Sequence, residues 1–517
     1  MALSSQSLED FLQPLKVDTP KLCTLAKTLC ETYITLAATS QAQFLPTPIS
    51  DNILRPPTDS KGRYLAIDIG GTNLRVGFIE LLEDDVLTPH EAESRVRRLL
   101  EKSWPIGEQL KNEKPEDLFS WIGKCVAEVI KNGLKVWGSE MEEEIPMGVT
   151  FSFPMMQDSI AEATLMPMGK DFAITSNLEL HKLLLEGYER SRTPDLPLVR
   201  IAAITNDTVA TLVSFAYQLR VKPGCRAAMG LVVGTGCNAT IPLSIDKLHP
   251  DKRPKHPVRA NDVDSGLKIT VNTEWTIKGA SAPLHELNLI TKWDKKLDAE
   301  GLAPGFQPFE YLTAGRYLGE LGRIIILDYF SNVLGIPETS LPPKLQQKYG
   351  LTTTFLGNLG PHLSGINPSI LGQLESELPL GENAGSWRWT TEVADAIYQI
   401  AKSIEVRAAG LVAAAIIGLL GCADEINLSH HSSSIVNSAN GENSNLSVRE
   451  LMVGYTGGCI SHFQDYLDDC QRFLDQIIES EFGLDEVPRV VLRECNDGGI
   501  IGAGILAATI SQYQKRR

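Results

Sequence analysis

The sequence predicts an α/β fold with a duplicated architecture around a cleft. Two strand–turn–strand segments carry glycine-rich polar turns, and apolar strand runs alternate with helical patterns elsewhere in the chain. At 517 residues the chain is also too long for one simple core, so two or three domains are expected. Strands that end in polar loops are where α/β proteins bind ligands, which places the expected site at those ends.

The first hairpin turn is the segment 68–73, which reads Asp-Ile-Gly-Gly-Thr-Asn between two apolar runs. Its two glycines permit a close approach to an anion and a positive φ. Its threonine and asparagine add short donors, and Asp68 puts a carboxylate at the strand end, where it could meet a metal. Taken by itself, the segment is also compatible with an ordinary glycine hairpin.

The second hairpin repeats this design at residues 230–241, with the turn Gly-Thr-Gly-Cys-Asn at 234–238. Two turns of one design predict two phosphate-facing turns across a cleft. Neither turn matches the P-loop, and neither matches the dinucleotide fingerprint that opens a helix after a strand.

Composition narrows the class of protein. With 43% hydrophobic and 22% charged residues the chain is ordinary and globular, and its net charge of −16 argues against a general nucleic-acid surface. Nine cysteines without Cys-x-x-Cys spacing, and no N-terminal signal, predict a cytoplasmic protein. The uncharged run 408–423, which is rich in Ala and Gly, is shorter than a membrane span and predicts a buried helix. The scattered histidines have no metal-ligand spacing.

Secondary structure follows from the apolar periodicity. The helical patterns lie at residues 20–38, 115–132, 392–420 and 461–481. The strand runs that lead to polar turns lie at residues 146–153, 199–205 and 489–492.

Asp207 lies at a junction between a strand run and a helical pattern at 208–215. Aspartate is a common helix N-cap, and it is also a suitable general base at the head of a cleft. Asn206 beside it could position a hydroxyl. Farther along, Glu274 follows an apolar run and precedes Trp275, so it is expected to be partly buried and paired. With Glu310, these Asp, Asn and Glu side chains are the set that a sugar site needs.

Six motifs make the chain resemble the eukaryotic hexokinases, and in character it is closest to atypical fungal hexokinases and N-acetylglucosamine kinases. They are LAIDIGGTNLRV at 65–76, TFSFP at 150–154, NDTV at 206–209, VGTGCNA at 233–239, NTEW at 272–275 and YLGE at 317–320. The resemblance implies a two-lobed actin-like ATPase (ribonuclease H-like) fold of the hexokinase type. Residues 67–205 plus 495–517 would form the small lobe, and 1–66 plus 206–494 the large lobe.

The resemblance also implies roles for single residues. Asp207 would take the proton of a sugar 6-hydroxyl as it attacks the γ-phosphorus of ATP, and Lys170 would offset charge there. The implied sugar-binding residues are Ser152, Gly169, Asn206, Asn238, Glu274 and Glu310. The implied nucleotide-binding residues are Asp68, Gly70, Gly71, Thr72, Asn73, Arg75, Gly234, Thr235, Gly457 and Gly498. Magnesium is expected to arrive with ATP, near Asp68, and not in a protein cage.

The chain departs from this family's pattern in three places. Residues 168–172 read Met-Gly-Lys-Asp-Phe in place of Trp-Thr-Lys-Gly-Phe. Residues 455–458 read Tyr-Thr-Gly-Gly where Asp-Gly-Ser is usual, and 497–502 read Asp-Gly-Gly-Ile-Ile-Gly in place of Asp-Gly-Ser-Gly-x-Gly.

Three functions remain open: a glucose or mannose kinase, an N-acetylglucosamine kinase, and a non-catalytic nutrient sensor. Because Met168 and Gly169 remove volume while the acid and the hydroxyl partners remain, we rank N-acetylglucosamine first. The expected partners are the sugar and ATP, with no nucleic acid and no membrane span, in a monomer or homodimer.

Overall fold

The computed structural model describes residues 5–50, 61–82, 95–111, 114–166, 178–219, 224–254, 267–359, 370–381, 385, 387–428, 448–483 and 487–516. The strands are β1 Leu45–Ser50, β2 Gly62–Ile69, β3 Asn73–Leu81, β4 Val96–Pro105, β5 Glu144–Phe151, β6 Met155–Ser159, β7 Glu162–Leu165, β8 Leu198–Thr205, β9 Cys225–Val233, β10 Cys237–Ser244, β11 Lys268–Asn272, β12 Glu450–Thr456 and β13 Arg489–Glu494.

The α-helices are α1 Ser5–Leu12, α2 Thr19–Thr39, α3 Glu108–Lys111, α4 Pro115–Trp137, α5 Leu180–Glu189, α6 Asp207–Gln218, α7 Ala282–Glu286, α8 Lys292–Ala299, α9 Pro308–Thr313, α10 Gly315–Asp328, α11 Pro343–Gln346, α12 Thr353–Gly357, α13 Ile370–Glu377, α14 Thr391–Cys422, α15 Gly458–His462, α16 Tyr466–Phe482 and α17 Gly498–Arg516. Several begin at side-chain caps that the sequence supplies. Asp18, for example, accepts a hydrogen bond from Lys21 N at 2.9 Å.

Two sheets repeat one topology, which confirms the duplication that the two hairpins predict. The smaller sheet has the order β4-β3-β2-β5-β8, and the larger has β1-β11-β10-β9-β12-β13. In each, a hairpin and a third antiparallel strand are followed by two parallel strands, and β1 is added at the edge of the larger sheet. Each sheet has its own hydrophobic core, as a two-lobed α/β protein requires.

Two helices tie the lobes together by crossing between them. Helix α6 follows β8 of the smaller sheet but packs on β9 of the larger one, while α17 follows β13 of the larger sheet and packs on β2 and β5 of the smaller. The two helices pack on each other, and a third hydrophobic cluster fills the space around them. The hairpin turns at 70–72 and 234–236 are thereby held near the crossing.

Three predictions about element bounds need comment. The predicted lobe boundary at residue 67 falls within β2, whose residues pair from Gly62 onward within the smaller sheet. The predicted helix 461–481 is two helices, α15 and α16, because Gln464 between them has a left-handed φ of 49°. The predicted helix 392–420 is confirmed as α14.

Helix α14 is the one helix in the described part of the chain with the length and apolar composition to cross a membrane, and 89% of its most apolar window is buried in the protein. Its burial is the structure that the sequence predicts for the uncharged run 408–423. The helix packs against α2 and α16 in the core of the large lobe.

The close crossing of α6 and α17 depends on Gly502. A Cβ atom at this position would lie 2.1 Å from the carbonyl oxygen of Ala210, which is backbone and cannot rotate away. We expect Gly502→Ala to destabilise the protein by about 1 to 3 kcal/mol, measured as a shift of the unfolding midpoint in urea. In an exposed helix, replacement of glycine by alanine would instead stabilise the protein by about 1 kcal/mol. A loss of stability therefore indicates the close contact between the two helices.

Gly458→Ala is the matched control for this prediction. A Cβ at Gly458 would meet nothing closer than the His462 ring at 4.0 Å. We expect its effect on stability to stay within about 0.5 kcal/mol. An equal and small effect of both substitutions would contradict the close crossing.

Candidate functional site

A cavity of about 220 Å³ between the lobes gathers most of the predicted site. Both hairpins reach it: Gly70 and Gly71 line it from the smaller sheet, and Thr235 and Gly236 from the larger. The predicted sugar-binding and catalytic residues in its wall are Ser152, Asn206, Asp207, Asn238, Glu274 and Glu310. Gly169 and Lys170 lie outside the described residues. Residues far apart in sequence therefore line one cavity.

Asp207 is free of the capping role that its position suggested, because Asn206 takes it. Asn206 Oδ1 accepts hydrogen bonds from Thr208 N at 3.0 Å and from Thr208 Oγ1 at 2.8 Å, and it is the N-cap of α6. Asp207 is the first residue of the helix, where Oδ1 accepts from Thr208 N at 2.8 Å. A carboxylate at a helix N-terminus is favourably placed in the helix dipole. The half-buried side chain remains in the cavity wall.

Asn238 and Glu274 belong to one hydrogen-bonded network. Asn238 Nδ2 donates to Asn272 Oδ1 at 2.8 Å and to Glu274 Oε1 at 3.1 Å, and its Oδ1 accepts from Glu274 N at 3.1 Å. Asn272 Nδ2 also donates to Glu274 Oε1, at 2.9 Å. Glu274 has a left-handed φ of 47° and is buried, which for glutamate is a strained backbone held by its surroundings. A carboxylate that several hydrogen bonds hold in place is already oriented to accept hydrogen bonds from the hydroxyl groups of a ligand.

Glu310 approaches the second hairpin turn from α9. Its Oε2 accepts a hydrogen bond from Cys237 N at 3.2 Å, and a Cβ at residue 236 would lie only 3.1 Å from this oxygen. Gly236 therefore allows the carboxylate to reach the turn. Burial raises the pKa of the neighbouring Cys237 thiol to about 12, so this thiol stays uncharged in the cavity wall.

A second cavity of about 470 Å³ lies on the other side of the same turn and is lined by Gly234 and Thr235. Gly457, a predicted nucleotide residue, is not among the residues that line this cavity; it packs against the turn with a left-handed φ of 124°, and a Cβ there would lie 2.3 Å from the carbonyl oxygen of Val233. Only glycine fits this approach. The turn is also tied to α10, since Gly315 N donates to Gly234 O at 2.8 Å. This glycine-lined turn between two cavities has the form of a phosphate cradle.

The remaining predicted nucleotide residues of the first hairpin line neither cavity. Arg75 pairs with Asp68 Oδ2 at 2.5 Å and with Asp497 Oδ1 at 2.6 Å. Burial raises the pKa of Asp68, an effect that Arg75 opposes and the nearby charge of Asp207 reinforces. Thr72 and Asn73 are exposed at the tip of the hairpin turn. Arg75 thus joins the ends of β2 and α17 through Asp68 and Asp497.

Two expectations about glycines differ from the structure. Neither Gly70 nor Gly71 adopts a positive φ; Gly70 N instead donates to Asn73 O at 3.0 Å across an extended turn. Gly498 is buried at the start of α17, where a Cβ would lie 2.9 Å from Thr211 Oγ1 of α6. Gly498 thus packs against α6 and is not among the residues that line the two cavities.

Several residues that line the two cavities are not among the site residues predicted from the sequence. In the smaller cavity they include Ile277, Phe306 and Gln307, and in the larger one Arg316, Thr352, Thr353, Asn358 and His462. Gln307 had a local signal, because it precedes Pro308 at a helix start. The wall of the larger cavity comes from loops and helix ends without any periodic pattern, so no local rule identifies it.

Comparison with known proteins gives consistent matches over almost the whole chain. Two family models, both described as hexokinase, match residues 7–217 and 228–509. Hexokinase-9 of Oryza sativa subsp. japonica is 28% identical over 461 residues, which are 89% of this chain and 81% of that protein. A hexokinase of Schwanniomyces occidentalis is 32% identical over 303 residues, covering 58% of this chain and 57% of that protein.

Solved structures agree with this at the level of fold. A hexokinase from Schistosoma mansoni, solved in complex with glucose, superposes with a TM-score of 0.73 at 23% identity, over 98% of this chain and all (100%) of that one. A second hexokinase structure superposes with a TM-score of 0.69 at 21% identity, over 98% and 99% of the two chains.

Proposed function

Because this chain belongs to the hexokinase family and is a phosphotransferase of that family, we propose that it phosphorylates the 6-hydroxyl of N-acetylglucosamine. The coarser activity, ATP-dependent phosphorylation of a sugar, follows from the family. The observation that supports phosphorylation of a sugar hydroxyl is the cavity that Asp207 lines together with Asn and Glu side chains able to bind hydroxyls.

In the proposed reaction Asp207 is the general base. Its carboxylate accepts the proton of the sugar 6-hydroxyl, whose oxygen then forms the new bond to phosphorus. The Asn238–Glu274 network and Glu310 hold the other hydroxyls, so the sugar enters one orientation. A cavity closed between the lobes also limits water, which would otherwise compete as the nucleophile. The carbohydrate is thus oriented before the proton moves.

The residues of the larger cavity fit a nucleotide. Gly234 and Thr235 offer a turn open to phosphate oxygens, and Gly457 packs against the backbone of this turn. When bound there, ATP supplies the phosphoryl group that is transferred. We propose that magnesium enters with it. Within the described residues no cluster of three or more His, Cys, Asp or Glu side chains could hold a metal ion, and Asp68 is already paired with Arg75.

The preference for N-acetylglucosamine rests on the loop at 168–172. Glycine at 169 in place of threonine, and methionine at 168 in place of tryptophan, would leave room for a larger hexose. Glucose is the second candidate, favoured by the relatives named hexokinase and by the S. mansoni structure, which holds glucose.

A coupled ATPase assay with a panel of N-acetylglucosamine, glucose and mannose decides between these candidates. Turnover of the acetamido sugar with the highest kcat/KM would support the proposal. Turnover of glucose and mannose alone would make the chain an ordinary hexokinase. Sugar-induced thermal stabilisation without turnover of any sugar would instead support a nutrient sensor.

Gly169→Thr should shift specificity toward glucose. A threonine hydroxyl at this position can hydrogen-bond a sugar hydroxyl, while its added volume disfavours the larger acetamido sugar. We expect the ratio of kcat/KM for glucose to that for N-acetylglucosamine to rise about tenfold. Gly169→Ala, which adds volume without a hydroxyl, is the control. An unchanged ratio in the threonine variant would show that the loop does not set specificity.

We also propose that the protein acts in the cytoplasm as a monomer or homodimer. All nine cysteines fall within the described residues, and each is a free thiol. Free buried thiols in this number suit a reducing compartment. Fractionation of cell extracts tests the location, and size-exclusion chromatography with light scattering tests the oligomeric state.

A further inference from the structure

The wall of the 220 Å³ cavity contains apolar as well as polar side chains, and two of the apolar ones come from the segments that carry Glu274 and Glu310. They are Ile277, which is half-buried, and Phe306, whose residue surface is 45% exposed. The carboxylates and amides around them account for hydroxyl binding, but a phenyl ring open to water cannot hydrogen-bond a hydroxyl. An exposed ring at a ligand cavity therefore offers an apolar surface to the C–H groups of a ligand.

The backbone fixes this apolar pair between the two cavity glutamates. Ile277 N donates to Glu274 O at 3.2 Å, so Ile277 is held in the turn that carries the first glutamate. Lys278 N donates to Phe306 O at 2.8 Å, which brings Phe306 beside this turn. Phe306 also precedes the second glutamate, Glu310, by four residues, just before α9 begins at Pro308. The apolar surface thus lies next to both carboxylates.

The segment before Phe306 is also held in place. Gly305 has a left-handed φ of 73°, and its N–H donates to Asp298 Oδ1 at 2.6 Å. Phe306 N donates to Ala303 O at 3.1 Å. A ring carried on a hydrogen-bonded turn is available as a preformed surface, which avoids part of the ordering cost of binding.

We propose that Ile277 and Phe306 form a subsite for an apolar substituent on the hexose, such as the acyl group of an N-acylated amino sugar. This inference rests on the proposed sugar phosphorylation and names the side chains that select the substrate. Glu274 and Glu310 hold hydroxyls while the methyl end of the substituent packs on the phenyl ring. Each methylene buried there raises affinity about fourfold until the surface is covered.

The test compares wild type with Phe306→Gln and Phe306→Leu on glucose, N-acetylglucosamine and N-propanoylglucosamine. In wild type we expect the propanoyl sugar to bind more tightly than the acetyl sugar. Phe306→Gln should lower kcat/KM for both acylated sugars about tenfold more than for glucose, and Phe306→Leu should restore part of this difference. Leu302→Ala is the matched control, because Leu302 lies in the same segment, is 75% exposed and does not line the cavity.

Failure of this inference is distinct from failure of the proposed function. If wild type phosphorylates N-acetylglucosamine but Phe306→Gln weakens all three sugars equally, the apolar subsite is wrong and the function stands. If wild type does not turn over N-acetylglucosamine, the proposed function fails. In that case calorimetry measures the binding of the acylated sugars. If wild type binds them more tightly than glucose and Phe306→Gln loses this difference, the subsite is supported. If wild type binds them more weakly than glucose, the subsite is wrong.

Discussion

Replacement of Asp207 by asparagine is expected to lower kcat for sugar phosphorylation by about 10² to 10⁴, the range that a positioned general base contributes. Asparagine keeps the side-chain volume and an oxygen that can accept from Thr208 N, but it cannot take a proton. The KM for the sugar should change little, because the other hydroxyl-binding groups remain. Single-turnover and steady-state assays with the preferred sugar measure both quantities.

The cap geometry makes this experiment interpretable. Since Asn206 and not Asp207 caps α6, the thermal midpoint of Asp207→Asn should stay close to that of wild type, and sugar-induced stabilisation should persist. Asn206→Ala should behave differently, losing about 1 kcal/mol of stability with its cap. If Asp207→Asn kept more than a tenth of the wild-type kcat, or lost activity only through unfolding, the role of Asp207 as base would be wrong.

Replacement of Arg407 by methionine is expected to destabilise the protein by about 3 to 5 kcal/mol, because it leaves a buried carboxylate without its partner. Arg407 of α14 makes two hydrogen bonds of 2.8 Å to Asp294 of α8, and the two side chains are only 1% and 4% exposed. Asp294 also accepts from Thr291 in the capping box of α8. Urea unfolding monitored by tryptophan fluorescence measures the loss.

An exposed pair of the same geometry provides the control. Arg489 and Asp475 also make two hydrogen bonds, of 2.9 and 2.8 Å, but their side chains are 57% and 38% exposed. Arg489→Met should therefore cost at most about 1 kcal/mol. Adding Asp294→Asn to Arg407→Met should recover part of the loss, since the unpaired charge is removed. Equal losses in the buried and exposed variants would contradict this account.

The parts of the site that the sequence predicts well are those with a local physical cause. The two hairpins can be read directly, since apolar runs on both sides of a small polar turn specify strand–turn–strand without distant contacts. The position of Asp207 between a strand and a helix is local in the same way. The choice between Asn206 and Asp207 as the N-cap of α6 cannot be predicted locally, because both residue types cap helices well. The backbone conformation in the folded protein decides which of the two is non-helical.

Other features depend on segments that meet only after folding. Gly498 looked like part of a phosphate-binding motif, but its place against Thr211 follows from the crossing of α6 and α17. The wall of the larger cavity joins Arg316, Thr352 and His462. Phe306 reaches the sugar cavity through a backbone hydrogen bond to Lys278. No periodicity or motif records such pairings.

The sequence by itself determined the α/β class, the two repeated hairpins, the likeness to hexokinases and the side chains that chemistry on a sugar requires. These depend on short-range pattern and residue type. Tertiary structure alone decided which residues share a cavity, whether Asn206 or Asp207 caps α6, and where the ring of Phe306 joins the cavity wall. Those outcomes depend on long-range packing, in which the two lobes exchange helices and bring distant segments within hydrogen-bond distance.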